Sequence, residues 1–170
     1  KENCRRKVDY IIDKFRQFDS NILWLDVDTI LLKRMTRLEE LNNDGAQPVD
    51  ILFASPIHQI AGIKASPIWF KNNSKSRYFL KSWKAEIDKS RREGQENFDH
   101  EVMFNSVING HKYCNFGMLG YEYCTWPGDS NGDTVIEMGL SDVDSKKDSL
   151  RKMGFDEGKI EWQSVGLNNE

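Results

Sequence analysis

The stretch Asn21-Ile22-Leu23-Trp24-Leu25-Asp26-Val27-Asp28-Thr29-Ile30-Leu31-Leu32 decides how the rest of the chain is read. Four apolar residues, Ile22 to Leu25, run into two aspartates separated by Val27, and the chain then turns apolar again. A continuous apolar run of this kind predicts a buried central strand over residues 22–28. Side chains two apart on an extended strand share a side, so Asp26 and Asp28 are expected to face one point. Open α/β sheets bind ligands at the carboxyl ends of their strands. Burying unpaired carboxylates is costly, so something must offset these two. A hard divalent cation, Mn²⁺ or Mg²⁺, is the simplest group to do so, because it takes oxygen ligands from one or two carboxylates and from substrate phosphates. The competing reading is two exposed turn acids that cap a helix.

Upstream, Val8, Ile11, Ile12, Phe15 and Phe18 follow helical spacing, with Arg5, Arg6, Lys7, Asp13 and Lys14 assigned to the other faces. This helix has no strand before it to pack on, so an N-terminal portion is expected to be missing. Downstream, a short helix is expected over residues 36–41 and strands over 50–55 and 67–71, the latter edged by Pro67. Ser74 is expected to cap a long helix with Phe79, Leu80, Trp83 and Ile87 on its buried stripe. A second helix is expected to bury Phe98, Val102, Phe104 and Ile108 and to stop at Gly110. Residues 113–123 read as one or two short strands, 134–138 as a last strand and 143–153 as a last helix. Strands and helices are interspersed without a linker or repeat, which predicts one α/β domain over residues 1–170 with a mixed sheet flanked by helices.

The 170 residues carry a net charge of −3, with 30% charged and 38% hydrophobic residues. That balance gives no general attraction to nucleic acid. No apolar run approaches the ~18 residues of a transmembrane segment, and the first residues do not form a signal peptide. Three cysteines, Cys4, Cys114 and Cys124, without a C-x-x-C, argue against a disulfide framework or zinc ribbon. A reducing, cytoplasmic setting is expected. Cys114 and Cys124 read as small buried apolar residues.

Other polar residues have two readings each. Asp99, His100 and Glu101 open the second long helix, where acids are favoured by the helix dipole without any further role. Lys146 and Lys147, with the backbone amides near the start of the last helix, could meet a phosphate, although paired lysines usually form a solvated face. Gly139, between Met138 and Leu140, hints at close backbone approach.

Taken in order, these segments resemble the GT-A glycosyltransferases of the nucleotide-diphospho-sugar type, a Rossmann-related fold. The Asn21–Asp28 run resembles that family's strand ending in D-x-D, and residues 50–55 resemble the strand that follows. Ser66-Pro67-Ile68-Trp69-Phe70-Lys71-Asn72 resembles the segment beside donor and acceptor sugars, which makes Ser66 a substrate-binding candidate. Asp99-His100-Glu101 with Phe104-Asn105 resembles the second acidic motif. The resemblance implies that Asp28, assisted by Asp26, holds Mn²⁺ or Mg²⁺ against the diphosphate of a nucleotide sugar. It implies Asp99 as general base in an inverting enzyme and as a residue that positions the sugar in a retaining one, with His100 and Glu101 beside the substrate, and Lys146 or Lys147 on the diphosphate. The acceptor would be a saccharide, a lipid-linked sugar or a protein, and a Golgi lumen would suit a eukaryotic member. Two departures stand out. The family often carries a metal-binding histidine before a glycine on the last strand, where this chain has Glu137-Met138-Gly139. A thioether suits a hard cation poorly, so Glu137 substitutes, or water does, or metal binding is weakened. The family's opening strand–helix units, which hold the base, do not precede Val8 here.

Two rivals remain. Leu25-Asp26-Val27-Asp28-Thr29-Ile30-Leu31 resembles the nucleophile motif of haloacid-dehalogenase-type phosphatases, with Asp26 attacking phosphate and Asp28 as acid and base. Against it, Ile30 replaces the usual Thr or Val, a helix precedes the strand, and the Gly128 loop runs into a strand. The other rival is a non-catalytic remnant of a transferase.

Overall fold

The computed structural model describes residues 2–36, 38, 49–55, 63–94, 99–127, 129–140, 144, 148 and 151, the side chains of 2–5 and 99–101 excepted. In chain order these form helix α1 (Glu2–Gln17) and strands β1 (Ile22–Trp24), β2 (Thr29–Leu31), β3 (Ile51–Ala54) and β4 (Lys64–Phe70). Helices α2 (Ser74–Arg92) and α3 (Asp99–Gly110) follow, then β5 (Phe116–Met118), a single 3-10 turn (Tyr121–Tyr123) and β6 (Ile136–Met138). Four strands make one sheet in the order β1-β4-β3-β5, while β2 and β6 pair antiparallel as a second sheet. Only β3 and β5 run parallel in the larger sheet; its other pairs are antiparallel. The class is therefore mixed α/β, as the alternation of patterns predicts.

Strand alternation separates two cores. Ile51 and Phe53 of β3 and Ile68 and Phe70 of β4 meet Val8, Ile11 and Phe15 of α1, Phe79, Leu80, Trp83 and Ile87 of α2, and Val102 and Met103 of α3. Leu52, Ala54 and Trp69 point the other way, into a cluster with Leu119, Tyr123, Cys124, Trp126, Ile136 and Met138. Each such side chain contributes about 1.5–3 kcal/mol when fully buried. All four residues of β3 are buried, because both faces of the sheet are covered. At the surface, Lys84 of α2 meets Asp9 of α1 at 2.6 Å. That hydrogen bond raises the Lys84 pKa above its ordinary value.

Several expectations are corrected. The apolar run of residues 22–28 is a three-residue edge strand, half-buried, and β3 and β4 are the central pair. The run is apolar because both faces of β1 are packed: Ile22 and Trp24 lie against the helix-side core, Leu23 and Leu25 against the other. The chain leaves β1 after Trp24, so the two aspartates sit in a turn and not on an extended strand tip. Pro67 lies within an interior strand. The β3–β4 register jumps from Phe53↔Ile68 to Ala54↔Lys64, which takes Ala65, Ser66 and Pro67 out of that ladder and accommodates the missing N–H.

Asn73, not Ser74, caps α2: its side chain accepts from the Ser76 amide. On α3, Val102 is buried as expected, whereas Phe104 and Ile108 are exposed and Met103 and Ser106 are buried in their place; Phe98 lies outside the described residues. The small Ser106 and Gly110 face inward there. A Cβ on Gly110 would come 3.3 Å from the rings of Phe79 and Phe116, so the helix can sit close. The Ser106 hydroxyl is satisfied within its own helix by the Val102 carbonyl at 2.9 Å. Lys7, expected on a solvated face, is buried at 6% exposure. Most of the helices expected over 36–41 and 143–153 lies outside the described residues. Among the described residues, no helix is long and apolar enough to cross a membrane.

Candidate functional site

The Asp26–Asp28 turn carries the chain from β1 in the larger sheet to β2 in the smaller one. Val27 at its middle is fully exposed. Both aspartates are held, by different means. Asp26 is fixed at one carboxylate oxygen: Trp24 Nε1 donates to Oδ1 at 2.9 Å, and Lys7 Nζ lies 3.2 Å from the same atom. Its amide donates to Ser66 Oγ at 2.8 Å. Among the described residues, Oδ2 of Asp26 has no hydrogen bond or ion pair, and the side chain is 37% exposed. Asp28 is tied through its carbonyl, which accepts from the amides of Gly139 at 3.1 Å and Leu140 at 3.2 Å. Gly139 has φ +86°, a conformation that favours glycine, and this backbone turn brings both amides onto one oxygen. The hint of close backbone approach at Gly139 thus has a concrete partner.

The other candidates are placed as follows. Ser66 is 1% exposed and acts on the turn itself, by accepting the Asp26 amide. Glu137 lies in β6 opposite Ile30 and accepts from the Ser130 hydroxyl. Met138, next to it, is buried, with its sulfur 3.3 Å from Cys124 Sγ. Among the described residues, no three of His, Cys, Asp and Glu come together as a metal-ready group, so Asp26, Asp28 and Glu137 do not close into one set. Asp99, His100 and Glu101 open α3, and their side chains are outside the described residues, as are Lys146 and Lys147 entirely. Mg²⁺ and Mn²⁺ are commonly held by one or two carboxylates, the remaining positions going to water and substrate phosphate.

Two residues carry more of this region than their sequence context suggests. Lys7 meets the Ala65 carbonyl at 2.9 Å, Asp26 Oδ1 at 3.2 Å and the Trp24 ring at 5.7 Å from its centroid. A signal was present: Lys7, Ile11 and Phe15 form one i, i+4 row, and the two apolar members are buried. Asp50, at 5% exposure, accepts from Asn73 Nδ2 and from the Asn115 amide, each at 2.8 Å, with Lys75 Nζ at 3.5 Å. It knots the start of β3 to the N-terminus of α2 and to the segment entering β5. Nearby Cys114 is pushed above its ordinary pKa by burial and by the charge of Asp50, so its thiol stays protonated at neutral pH. No protein-family model and no curated protein matches the chain.

Proposed function

We propose that the chain is a metal-dependent glycosyltransferase that moves a sugar from a nucleotide-diphosphate donor to an acceptor hydroxyl. The observation that carries this reading is the Asp26-Val27-Asp28 turn at the junction of two sheets, with one acid pinned through its side chain and the other through its backbone. The resemblance of the ordered segments to the GT-A type supplies the reaction class.

In this reading Asp28 and Asp26 hold Mn²⁺ or Mg²⁺. The bound ion would act as a Lewis acid, neutralising charge on the departing nucleoside diphosphate. Asp26, fixed at Oδ1, offers Oδ2 as an acceptor in a set orientation, which is how a preorganised group stabilises charge without reorganising. Asp99 at the head of α3 takes the proton of the acceptor hydroxyl as its oxygen attacks the sugar carbon and the bond to the diphosphate breaks. Lys146 and Lys147 are assigned to the diphosphate. Glu137 lies in β6 opposite Ile30 and is hydrogen-bonded to Ser130.

The test is release of nucleoside diphosphate from a panel of nucleotide sugars with Mn²⁺. Turnover is expected to fall by about two orders of magnitude in Asp28→Asn, equivalent to losing roughly 2.7 kcal/mol of transition-state stabilisation. Mg²⁺-dependent hydrolysis of p-nitrophenyl phosphate, abolished by Asp26→Asn, would instead establish the phosphatase reading.

A further inference from the structure

We infer that Lys7 is a positioning residue for the aspartate turn: its buried ammonium fixes Asp26 through Oδ1 and cancels one of the turn's two negative charges. The inference deepens the metal-site reading above and rests on it only for the consequence drawn for cation affinity. The geometry stands by itself. The Lys7 side chain is 5% exposed, and a buried ammonium persists only where it is paired. Its partners come from three elements. The Ala65 carbonyl belongs to β4, where the register jump removes that residue from the β3 ladder. Asp26 belongs to the turn, and the Trp24 ring to β1. Trp24 in turn donates its indole N–H to the same Asp26 oxygen, and Ser66, the neighbour of Ala65, takes the Asp26 amide. Lys7, Trp24 and Ser66 thus hold Asp26 at two separate atoms of that residue.

Two consequences follow. The carboxylate is held at one oxygen, which leaves the other oriented. Pairing with Lys7 offsets the charge of Asp26, which weakens the turn's hold on a bare cation and leaves the difference to be made up by an anionic ligand that arrives with the metal.

The test uses the whole chain with Lys7→Gln and Lys7→Arg, the first keeping a donor for Ala65 and losing the charge, the second keeping the charge. The Trp24 indole ¹⁵N–¹H resonance, assigned with Trp24→Phe, reports the positioning without any ligand. It is expected to move in Lys7→Gln toward its place in Asp26→Asn and to stay near wild type in Lys7→Arg. An unmoved resonance in Lys7→Gln overturns the inference. Calorimetry with MnCl₂ alone gives the second readout. Lys7→Gln is expected to bind Mn²⁺ about two- to fivefold tighter, the ordinary worth of one partly exposed charge contact. Weaker Mn²⁺ binding in Lys7→Gln would mean that the lost orientation of Asp26 outweighs the relieved charge, and would overturn the charge compensation inferred for Lys7. If wild type binds no Mn²⁺ while the indole resonance moves as stated, the metal reading fails and the positioning role stands. A Lys7→Gln chain that does not fold hands the decision to Lys7→Arg, whose indole resonance must then match wild type; a displaced one overturns the inference.

Discussion

Trp83 is fully buried among the aromatic side chains of the helix-side core, its ring tilted 45° against that of Phe79 with centroids 6.0 Å apart. Its indole nitrogen is buried without a hydrogen-bond partner among the described residues. The side chain is therefore present for its volume. Trp83→Ala is expected to destabilise by about 3–5 kcal/mol, through lost transfer energy and a cavity. Trp83→Phe removes the unpaired N–H together with part of the ring and is expected to cost less than about 1.5 kcal/mol. Urea unfolding of both variants checks the contrast, and equal costs would mean that the indole N–H is satisfied in solution. The same reasoning separates Lys7 from the other basic residues of α1. A lysine earns no functional attention from its identity, but at 6% exposure its charge must be answered, and the answer is Asp26.

At the scale of elements, the Asp50 knot joins three segments: the start of β3, the N-terminus of α2 and the stretch entering β5. Asp50→Ala strands Asn73 Nδ2 and the Asn115 amide, and it leaves Lys75 without its counter-charge. A loss of about 2–3 kcal/mol is expected, the scale of hydrogen bonds to a charged group. Hydrogen exchange should localise it to the first turn of α2 and to β5; a loss spread evenly over the chain would contradict the knot. This scale also shows what the sequence could and could not reveal. The α2 stripe of Phe79, Leu80, Trp83 and Ile87 was readable because helical periodicity is local. The face of α3 was not, because Phe104/Ile108 and Met103/Ser106 offer two rows of nearly equal spacing. What chose between them is the close approach that Ser106 and Gly110 permit against Phe79 and Phe116. The place of β1 was also hidden. An apolar run reports that both faces are covered, but the pairing partner at its edge is set by β4, some forty residues downstream. The two acids and Gly139 were readable as special. That Asp26 is held by Lys7, Trp24 and Ser66 was not, since those contacts join α1, β1 and β4.

For the molecule as a whole, the two sheets divide the work. The larger one packs three helices on one face; the smaller β2–β6 pair packs on its other face through Ile136 and Met138. The aspartate turn lies where the chain passes between them, so its geometry depends on both. In the proposed function this turn holds a divalent ion against a diphosphate. The decisive experiment is isothermal titration of UDP, and in parallel GDP, into the chain with and without MnCl₂. Heat of binding is expected only in the presence of Mn²⁺, lost in Asp28→Asn while the thermal melting of that variant stays close to wild type. Nucleotide binding that is equally strong without metal, or that survives Asp28→Asn unchanged, would contradict it.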